Sequence, residues 1–238
     1  MREAIVFLPD ILCDARLFGP QLADLSRSRA VMAAPLTEGE RIEEIASALL
    51  DVLPKRCALA GQGLGGIVAI EIVRRAPDRV SRLCLMDTTP LADTPQQAAE
   101  RDPLIVRARA RTGKVETVFA EALRLSELAP GPWRGEISAL LKEMATGLGV
   151  EVMTRQIRAL QRRRDQQGTL RRIAVPTMVM CGAANRQLPV KRHEFMAELI
   201  RGATLRVIEG AAHMAVLEQP DAVADALSEW LSMPLVLR

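Results

Sequence analysis

The chain has 238 residues, of which 49% are apolar and 26% charged, with a formal net charge of +3. This length and apolar content suit one large domain with one insertion, whereas two Trp, four Phe and no Tyr exclude a nucleic-acid surface built on base stacking. The N-terminal apolar run is too short for a signal peptide and no stretch approaches a membrane span, so we expect a cytoplasmic protein with neither a membrane nor a nucleic-acid partner.

Six short, almost continuously apolar runs predict β-strands that are covered on both faces, as is typical of parallel sheets. They span residues 4–10, 29–35, 57–63, 81–87, 177–182 and 204–210. Helical patterns separate several of these runs. They span residues 40–53, 64–76, 190–202 and 221–233. The alternation of strand and helix predicts an α/β fold with a doubly wound, mostly parallel sheet of about six strands.

The alternation stops between Asp87 and Val175, where about four helical patterns follow one another without a strand. Breaks are expected at residues 129–135, which are rich in Gly and Pro, and at residues 147–149, which are rich in Gly. We therefore predict an inserted, all-helical subdomain. The predicted boundaries are 1–87 and 171–238 for the α/β core and 88–170 for the helical insertion.

Two further features bear on the kind of site that the chain can carry. The cysteines at positions 13, 57, 84 and 181 form no C-x-x-C pair, which predicts small buried hydrophobic residues, no metal site and no cofactor. The densest basic run, residues 155–172, is interpreted as a solvated helix face, with a phosphate or anion patch as the alternative.

The stretch GQGLGG has two incompatible interpretations. Gly61, Gly63 and Gly66 match the G-x-G-x-x-G pattern of dinucleotide-binding folds, and Asp87 ends the next strand, where a ribose-binding acid is expected. That pattern normally follows the first strand of its fold, whereas two predicted strands and a helix precede it here. NAD(P) binding through these residues therefore stands as an alternative hypothesis.

In the second interpretation, Gly61 to Gly65 form a strand–turn–helix elbow of the type G-x-S-x-G, with Gly63 in place of Ser. The central residue of such an elbow adopts a positive φ, which strains most side chains. Glycine meets this requirement without strain but carries no nucleophile.

Several separate stretches favour the elbow. They are VFLPDILCDARLFGPQLADL, LAGQGLGGIVAIEIVRRAPDRVSRLCLMDTTP, VPTMVMCGAANRQLPVKRHEFMAELI and LRVIEGAAHMAVLEQPDAVADALSEWL. On these stretches the chain resembles the α/β-hydrolase superfamily, in its small, cap-bearing esterase- or lipase-like branch, along nearly its whole length. The resemblance implies that the helical insertion is a cap. It also implies that the ligand is a small, apolar molecule with an acyl or ester-like group.

The resemblance also assigns a site, residue by residue. It implies that Gly63 holds the nucleophile position, Asn185 the acid position and His213 the position of the catalytic histidine. It implies that Leu64 and Ile11 supply the backbone N–H groups of an oxyanion hole. Because glycine has no nucleophile and an amide cannot stabilise an imidazolium as a carboxylate does, the triad is predicted to be degenerate.

Three neighbouring side chains are further candidates. Asp87 is predicted either to orient His213 in place of Asn185 or to cap the start of its own loop. Asp10 stands where the family usually has Gly. Either its carboxylate points inward beside the oxyanion hole, where it would disfavour an anion, or it faces its own loop as a turn residue, which is the orientation that we expect. Cys13 is interpreted as buried packing and not as a nucleophile.

Two functions are hypothesised beside NAD(P) binding. The first is weak or altered hydrolysis in which His213 activates a water molecule. On this hypothesis, Gly63→Ser and Asn185→Asp together are expected to raise activity on p-nitrophenyl acetate. The second is a catalytically inactive protein that binds a small molecule between cap and sheet. Candidate lining residues are Leu123, Leu125, Trp133 and Met144, although packing within the cap is the role that we favour for most of them.

Overall fold

The computed structural model describes residues 3–110 and 115–235. The strands are β1 (Ile5–Leu8), β2 (Val31–Ala33), β3 (Cys57–Gln62), β4 (Val80–Met86), β5 (Thr177–Gly182) and β6 (Thr204–Ile208). They form one sheet in the order β2-β1-β3-β4-β5-β6, and every neighbouring pair is parallel. The predicted α/β class with a parallel sheet of six strands is therefore confirmed.

Helices connect these strands. The helices of the described residues are α1 (Gly19–Leu25), α2 (Ile42–Val52), α3 (Leu64–Arg75), α4 (Pro95–Ala99), α5 (Asp102–Ala110), α6 (Val115–Ala122), α7 (Arg134–Gln161), α8 (Gln167–Leu170), α9 (Val190–Leu199), α10 (Ala215–Glu218) and α11 (Pro220–Ser232). None of them is long and apolar enough to cross a membrane.

Both faces of the sheet are covered, because successive residues of a strand point to opposite sides. In β1, Ile5 and Phe7 join an apolar cluster that also holds residues of α1 and α11. Val6 and Leu8 join a second cluster on the other face, together with residues of α2, α3 and α9. This double cover explains why the central strands are apolar at almost every position.

The segment between β4 and β5 is helical, and within its described residues it contains α4 to α8 and no strand. The longest helix, α7, contains Gly149 with φ 80° and ψ 179°, which is not helical. This interruption falls within the break expected at residues 147–149. The division of the chain at residues 88 and 170 into core and cap stays a prediction.

The carboxyl ends of the six strands meet at one edge of the sheet, because all strands run in the same direction. Five candidate site residues follow five different strands. They are Asp10 after β1, Gly63 after β3, Asp87 after β4, Asn185 after β5 and His213 after β6. The parallel sheet thus brings together residues that are distant in sequence.

Candidate functional site

Gly63 forms the tight turn between β3 and α3. It has φ 51° and ψ −113°, a conformation that L-amino acids with a side chain rarely adopt. Its amide donates to Met86 O at 3.0 Å and its carbonyl accepts from Thr88 Oγ1 at 2.6 Å. These contacts fix the turn, so the amide of Leu64, the next residue, has a defined direction.

Asp10 does not face only its own loop, and the interpretation of this residue as a simple turn residue is wrong. Its Oδ1 accepts hydrogen bonds from Ile11 N at 2.7 Å and from Leu64 N at 2.8 Å. Its Oδ2 lies 2.8 Å from Nε2 of His213. The two N–H groups predicted to form an oxyanion hole therefore bind a carboxylate of the chain itself, which is only 4% exposed.

The carboxylate of Asp10 also explains the glycine at the turn. A Cβ atom added to Gly63 would lie 2.0 Å from Asp10 Oδ1, far closer than van der Waals contact permits. Asp10 thus fills the space that a side chain at position 63 would need. The two residues form one unit, in which the carboxylate is accommodated only because position 63 has no side chain.

The proton of the neutral His213 ring is placed by Asn185. Leu188 N donates to Asn185 Oδ1 at 2.9 Å, so the amide nitrogen must be the atom that faces the ring. This Nδ2 lies 3.2 Å from His213 Nδ1. Because Nδ2 only donates, Nδ1 accepts and the ring proton is on Nε2, directed at Asp10. A serine hydrolase requires the opposite tautomer, with Nε2 free to take a proton.

Neither the neutral nor the charged form of His213 has an Nε2 that can accept a proton. Burial disfavours the imidazolium and by itself lowers the pKa of His213. The hydrogen bond from the ring to Asp10 and the negative charges of Asp10, Asp87 and Glu218 have the opposite effect. They outweigh burial, so the pKa of His213 is raised. The charged ring carries a proton on both nitrogens and the neutral ring carries it on Nε2. In both states Nε2 donates to Asp10 and is not available as a base.

Asp87 is a fully buried carboxyl group and not a solvated cap residue. Its backbone has φ 43°, and its Oδ1 accepts from Gly182 N at 3.1 Å and from Asn185 Nδ2 at 2.8 Å. Its Oδ2 has no hydrogen-bond partner among the described residues. Asp87 therefore reaches His213 through the amide of Asn185, in a chain of contacts that runs from Asp87 to Asp10.

We expect the stability difference between Asp87→Asn and the wild type to depend on pH. Burial raises the pKa of Asp87 to about 7, although the charge of His213 and the donors at Asn185 and Gly182 oppose this. The native state therefore binds this proton more tightly than the unfolded state. The stability that it contributes is present below about pH 4 and is lost as the pH rises through 7.

Urea unfolding between pH 4 and 8 checks this prediction. Relative to wild type, Asp87→Asn should gain up to about 1.4 kcal/mol of unfolding free energy per pH unit up to pH 7, and little above it. The exposed Asp51→Asn is the control and should show no such trend. A difference for Asp87→Asn that is the same at every pH would contradict the prediction.

The glycines of the GQGLGG stretch pack against other atoms of the protein, so their backbone has no open side that a pyrophosphate could approach. A Cβ at Gly65 would lie 2.0 Å from Leu8 O, and one at Gly66 would lie 2.6 Å from the side chain of Thr88. The corresponding face of Gly63 is covered by Asp10. This packing argues against NAD(P) binding, because that mode requires the phosphates to approach these glycines.

A cavity of about 170 Å³ lies in front of Asp10 and His213. None of the four candidate lining residues lies on the wall of this cavity, and the burial of three of them agrees with the packing role that we favour for most of them. Leu123, Leu125 and Met144 are buried in the core, and Trp133 is exposed on a different groove. The apolar wall residues are Ile11, Leu64, Ile67, Ala122, Leu160 and Leu188, and the charged ones are Asp10, Asp87, Asp93, Arg101, Arg124, Arg163 and His213.

Two other predictions concern residues near this cavity. Cys13 is buried. Burial and the negative charges of Asp10 and Asp14 raise the pKa of its thiol well above the ordinary value. A thiol with a raised pKa is suited to packing and not to nucleophilic attack. Arg163 departs from the solvated face expected for residues 155–172, because its side chain is only 8% exposed and pairs with Asp93 at 2.7 Å.

No group of three or more His, Cys, Asp or Glu in the described chain could hold a metal ion.

The contact between Asp10 and His213 and the buried Asp93–Arg163 pair are the main features that sequence reasoning missed. Asp10 was recognisable as a departure from the family pattern, but its partner His213 is 203 positions away. No local pattern reveals such a contact. The absence of a side chain at position 63 was the available signal, because it leaves space that a neighbour can fill.

Comparisons with known proteins agree with the fold. Residues 6–226 match the alpha/beta hydrolase family. The chain is 28% identical over 200 residues, 77% of either chain, to a pimeloyl-[acyl-carrier protein] methyl ester esterase of Aromatoleum aromaticum. It is 26% identical over 227 residues, 87% of this chain and 85% of the relative, to a putative carbamate hydrolase of Pseudomonas savastanoi pv. phaseolicola. A thermophilic esterase of Thermogutta terrifontis superposes with a TM-score of 0.84 at 22% identity, over 96% of this chain and 89% of the esterase.

Proposed function

Because the chain belongs to the alpha/beta hydrolase family, we propose that it is a member that binds a small molecule in front of Asp10 and His213 without hydrolysing esters. The observation that carries this proposal is the position of the Asp10 carboxylate. It accepts from Ile11 N, Leu64 N and His213 Nε2 at once. The groups that would stabilise and protonate a reacting ester are therefore already engaged.

Each step of acyl-enzyme hydrolysis lacks a participant in this arrangement. Gly63 offers no oxygen or sulfur to attack a carbonyl carbon. The oxyanion hole that we assign to Ile11 and Leu64 would have to accept a negatively charged oxygen beside the carboxylate of Asp10, which repels it. His213 cannot remove a proton while Nε2 carries one. We accordingly regard Gly63, Asn185 and His213 as a degenerate triad.

The cavity is suited to binding a small molecule. Its wall combines apolar side chains such as Ile11, Ile67 and Leu188 with charged groups, a combination that is typical of ligand sites. The matched relatives are named as an ester hydrolase and a putative carbamate hydrolase. We propose that a related molecule, with an acyl group or a similar carbonyl group, enters between the helical cap and the sheet.

The rate of ester hydrolysis tests this proposal. With p-nitrophenyl acetate and p-nitrophenyl butyrate, the wild type should show no turnover above that of His213→Ala, because neither chain has an available base. The exposed Arg109→Gln is a control for changes that are unrelated to the site. Wild-type turnover that is at least about tenfold higher than that of His213→Ala would refute the proposal.

Slow hydrolysis by a water molecule is the second candidate function. The observation that favours it is the buried carboxyl group of Asp87, which lies behind His213 through Asn185. This chemistry requires Asp10 to leave Nε2 and the ring proton to move to Nδ1, where Asn185 now donates, so that His213 can act as a general base. In that case Asp10→Gly/Asn185→Asp would accelerate turnover, and His213→Ala would abolish it in the same background.

A further inference from the structure

The inner cavity, as we call the 170 Å³ space in front of Asp10, adjoins a larger one. This outer cavity has a volume of about 420 Å³. The residues that line both are Asp93, Gln97, Arg101, Ala122 and Arg124. A molecule that fills the inner cavity therefore reaches these residues where the two spaces meet.

The junction carries a positive charge that the buried acid does not balance. Asp93 is only 2% exposed in its side chain and is shared by two guanidinium groups, Arg163 at 2.7 Å and Arg101 at 2.9 Å. Burial lowers the pKa of Arg163, and the like charge of Arg101 adds to this effect. One carboxylate neutralises one of the two cations, so the group has a net charge of +1.

Arg163 and Arg101 differ in what they can offer to a ligand. Arg163 donates to Leu91 O and Leu160 O as well as to Asp93, so its three nitrogens are all engaged. Arg101 pairs with Asp93 through Nε. This pair leaves Nη1 and Nη2 of Arg101 available at the wall of both cavities.

Arg124 adds a third guanidinium group at the same junction. Its backbone is left-handed, with φ 49° and ψ 46°. Its ion pair with Glu127 is 3.6 Å long, which exceeds hydrogen-bond length. Of the other acids of the outer cavity, Glu121 pairs with Arg107, whereas Glu100 accepts from the neutral amide of Gln96 and keeps its negative charge; within the described residues neither forms an ion pair with Arg124. Arg124 is therefore only weakly held by the protein.

From this arrangement we infer that Arg101 and Arg124 bind the anionic group, a carboxylate or a phosphate, of the ligand. The inference rests on the proposed function and names the class of molecule that the inner cavity takes. Guanidinium groups bind both anions through paired N–H donors. The apolar part of the ligand then packs on Ile67, Leu160 and Leu188 in the inner cavity. Its anionic end stays at the junction, away from the carboxylate of Asp10.

Calorimetric titration with six-carbon probes tests the inference. Hexanoate should bind the wild type more tightly than hexan-1-ol, which has the same chain and no charge. Arg101→Gln and Arg124→Gln should each weaken hexanoate about tenfold or more and leave hexan-1-ol unchanged. Hexyl phosphate, titrated in parallel, shows whether the site favours phosphate or carboxylate.

The controls separate this inference from the proposed function. Arg109→Gln lies on α5, lines neither cavity and should bind hexanoate like the wild type. If Arg101→Gln unfolds because Asp93 loses a partner, Arg124→Gln, whose side chain is 53% exposed, still decides the result. Failure of hexanoate to bind, or equal binding by both arginine variants and wild type, overturns the inference. Because hexanoate has no ester bond, this result does not depend on whether the wild type hydrolyses esters.

Discussion

The triple variant Asp10→Gly/Gly63→Ser/Asn185→Asp is expected to hydrolyse p-nitrophenyl acetate at least about 10³-fold faster than the wild type. The first change frees Ile11 N and Leu64 N from the carboxylate that they now bind. One such donor is worth about 10²–10³-fold in a serine protease. The second change supplies a nucleophile, and the third lets His213 adopt the tautomer with Nε2 free, which is worth about 10⁴-fold in a serine protease.

The structure changes the expectation for the double variant Gly63→Ser/Asn185→Asp. From the sequence, these two substitutions are expected to raise activity. With Asp10 present, however, a Cβ at position 63 meets its carboxylate at 2.0 Å, and the oxyanion donors stay occupied. We therefore expect the double variant to stay within about tenfold of the wild type.

Initial rates of all three proteins, with circular dichroism to verify folding, check this pair of predictions. Asp10→Gly alone is the matched control, because it opens the donors without adding a nucleophile. A folded triple variant without a gain in rate would show that the scaffold cannot support acyl-enzyme chemistry. A double variant as active as the triple variant would show that Asp10 does not block the site.

Gly63→Ala is expected to destabilise the wild-type chain by about 3 kcal/mol or more. Two costs add at this position. The positive φ with ψ −113° strains an L side chain by about 1–3 kcal/mol, and the methyl group collides with Asp10, which must give up buried, charge-assisted hydrogen bonds to move. In the Asp10→Gly background only the backbone strain remains, so the loss should be smaller by about 1 kcal/mol or more.

A double-mutant cycle by urea unfolding measures this coupling between positions 10 and 63. Gly147→Ala is the matched control, because this exposed glycine lies in α7 and a Cβ there meets no atom within 4 Å. It should be neutral or stabilise by up to about 1 kcal/mol. If Gly63→Ala costs the same with and without Asp10, the two residues do not form the unit described above.

The fold was predictable because its signals are local. Runs such as residues 57–62 and 177–182 are apolar at most positions, since both of their faces are buried in the two clusters. The interruption at Gly149 in α7 was likewise marked by glycines. Strand ends were less accurate: the first run extends to residue 10 in the sequence pattern but β1 ends at Leu8, because Pro9 and Asp10 belong to the loop that enters the site.

The candidate site was only partly predictable. Gly63, Asn185 and His213 could be located because each follows a strand in a recognisable stretch, and the parallel sheet collects such positions at one edge. The direction of a side chain within that edge is set by contacts between distant segments. Asp10 turns inward because Ile11 N, Leu64 N and His213 Nε2 all offer protons to it.

The sequence by itself determined the α/β class, the parallel sheet, the helical segment between β4 and β5 and the absence of a side chain at Gly63. These depend on periodicity, glycine geometry and residue identity, which are properties of short segments. Only the tertiary structure decided that Asp10 occupies the two backbone donors, that Asn185 places the proton of His213 on Nε2, and that Arg101 and Arg163 share Asp93. Hydrogen bonds and ion pairs depend on distances of a few tenths of an ångström between residues far apart in sequence, and packing alone fixes those distances.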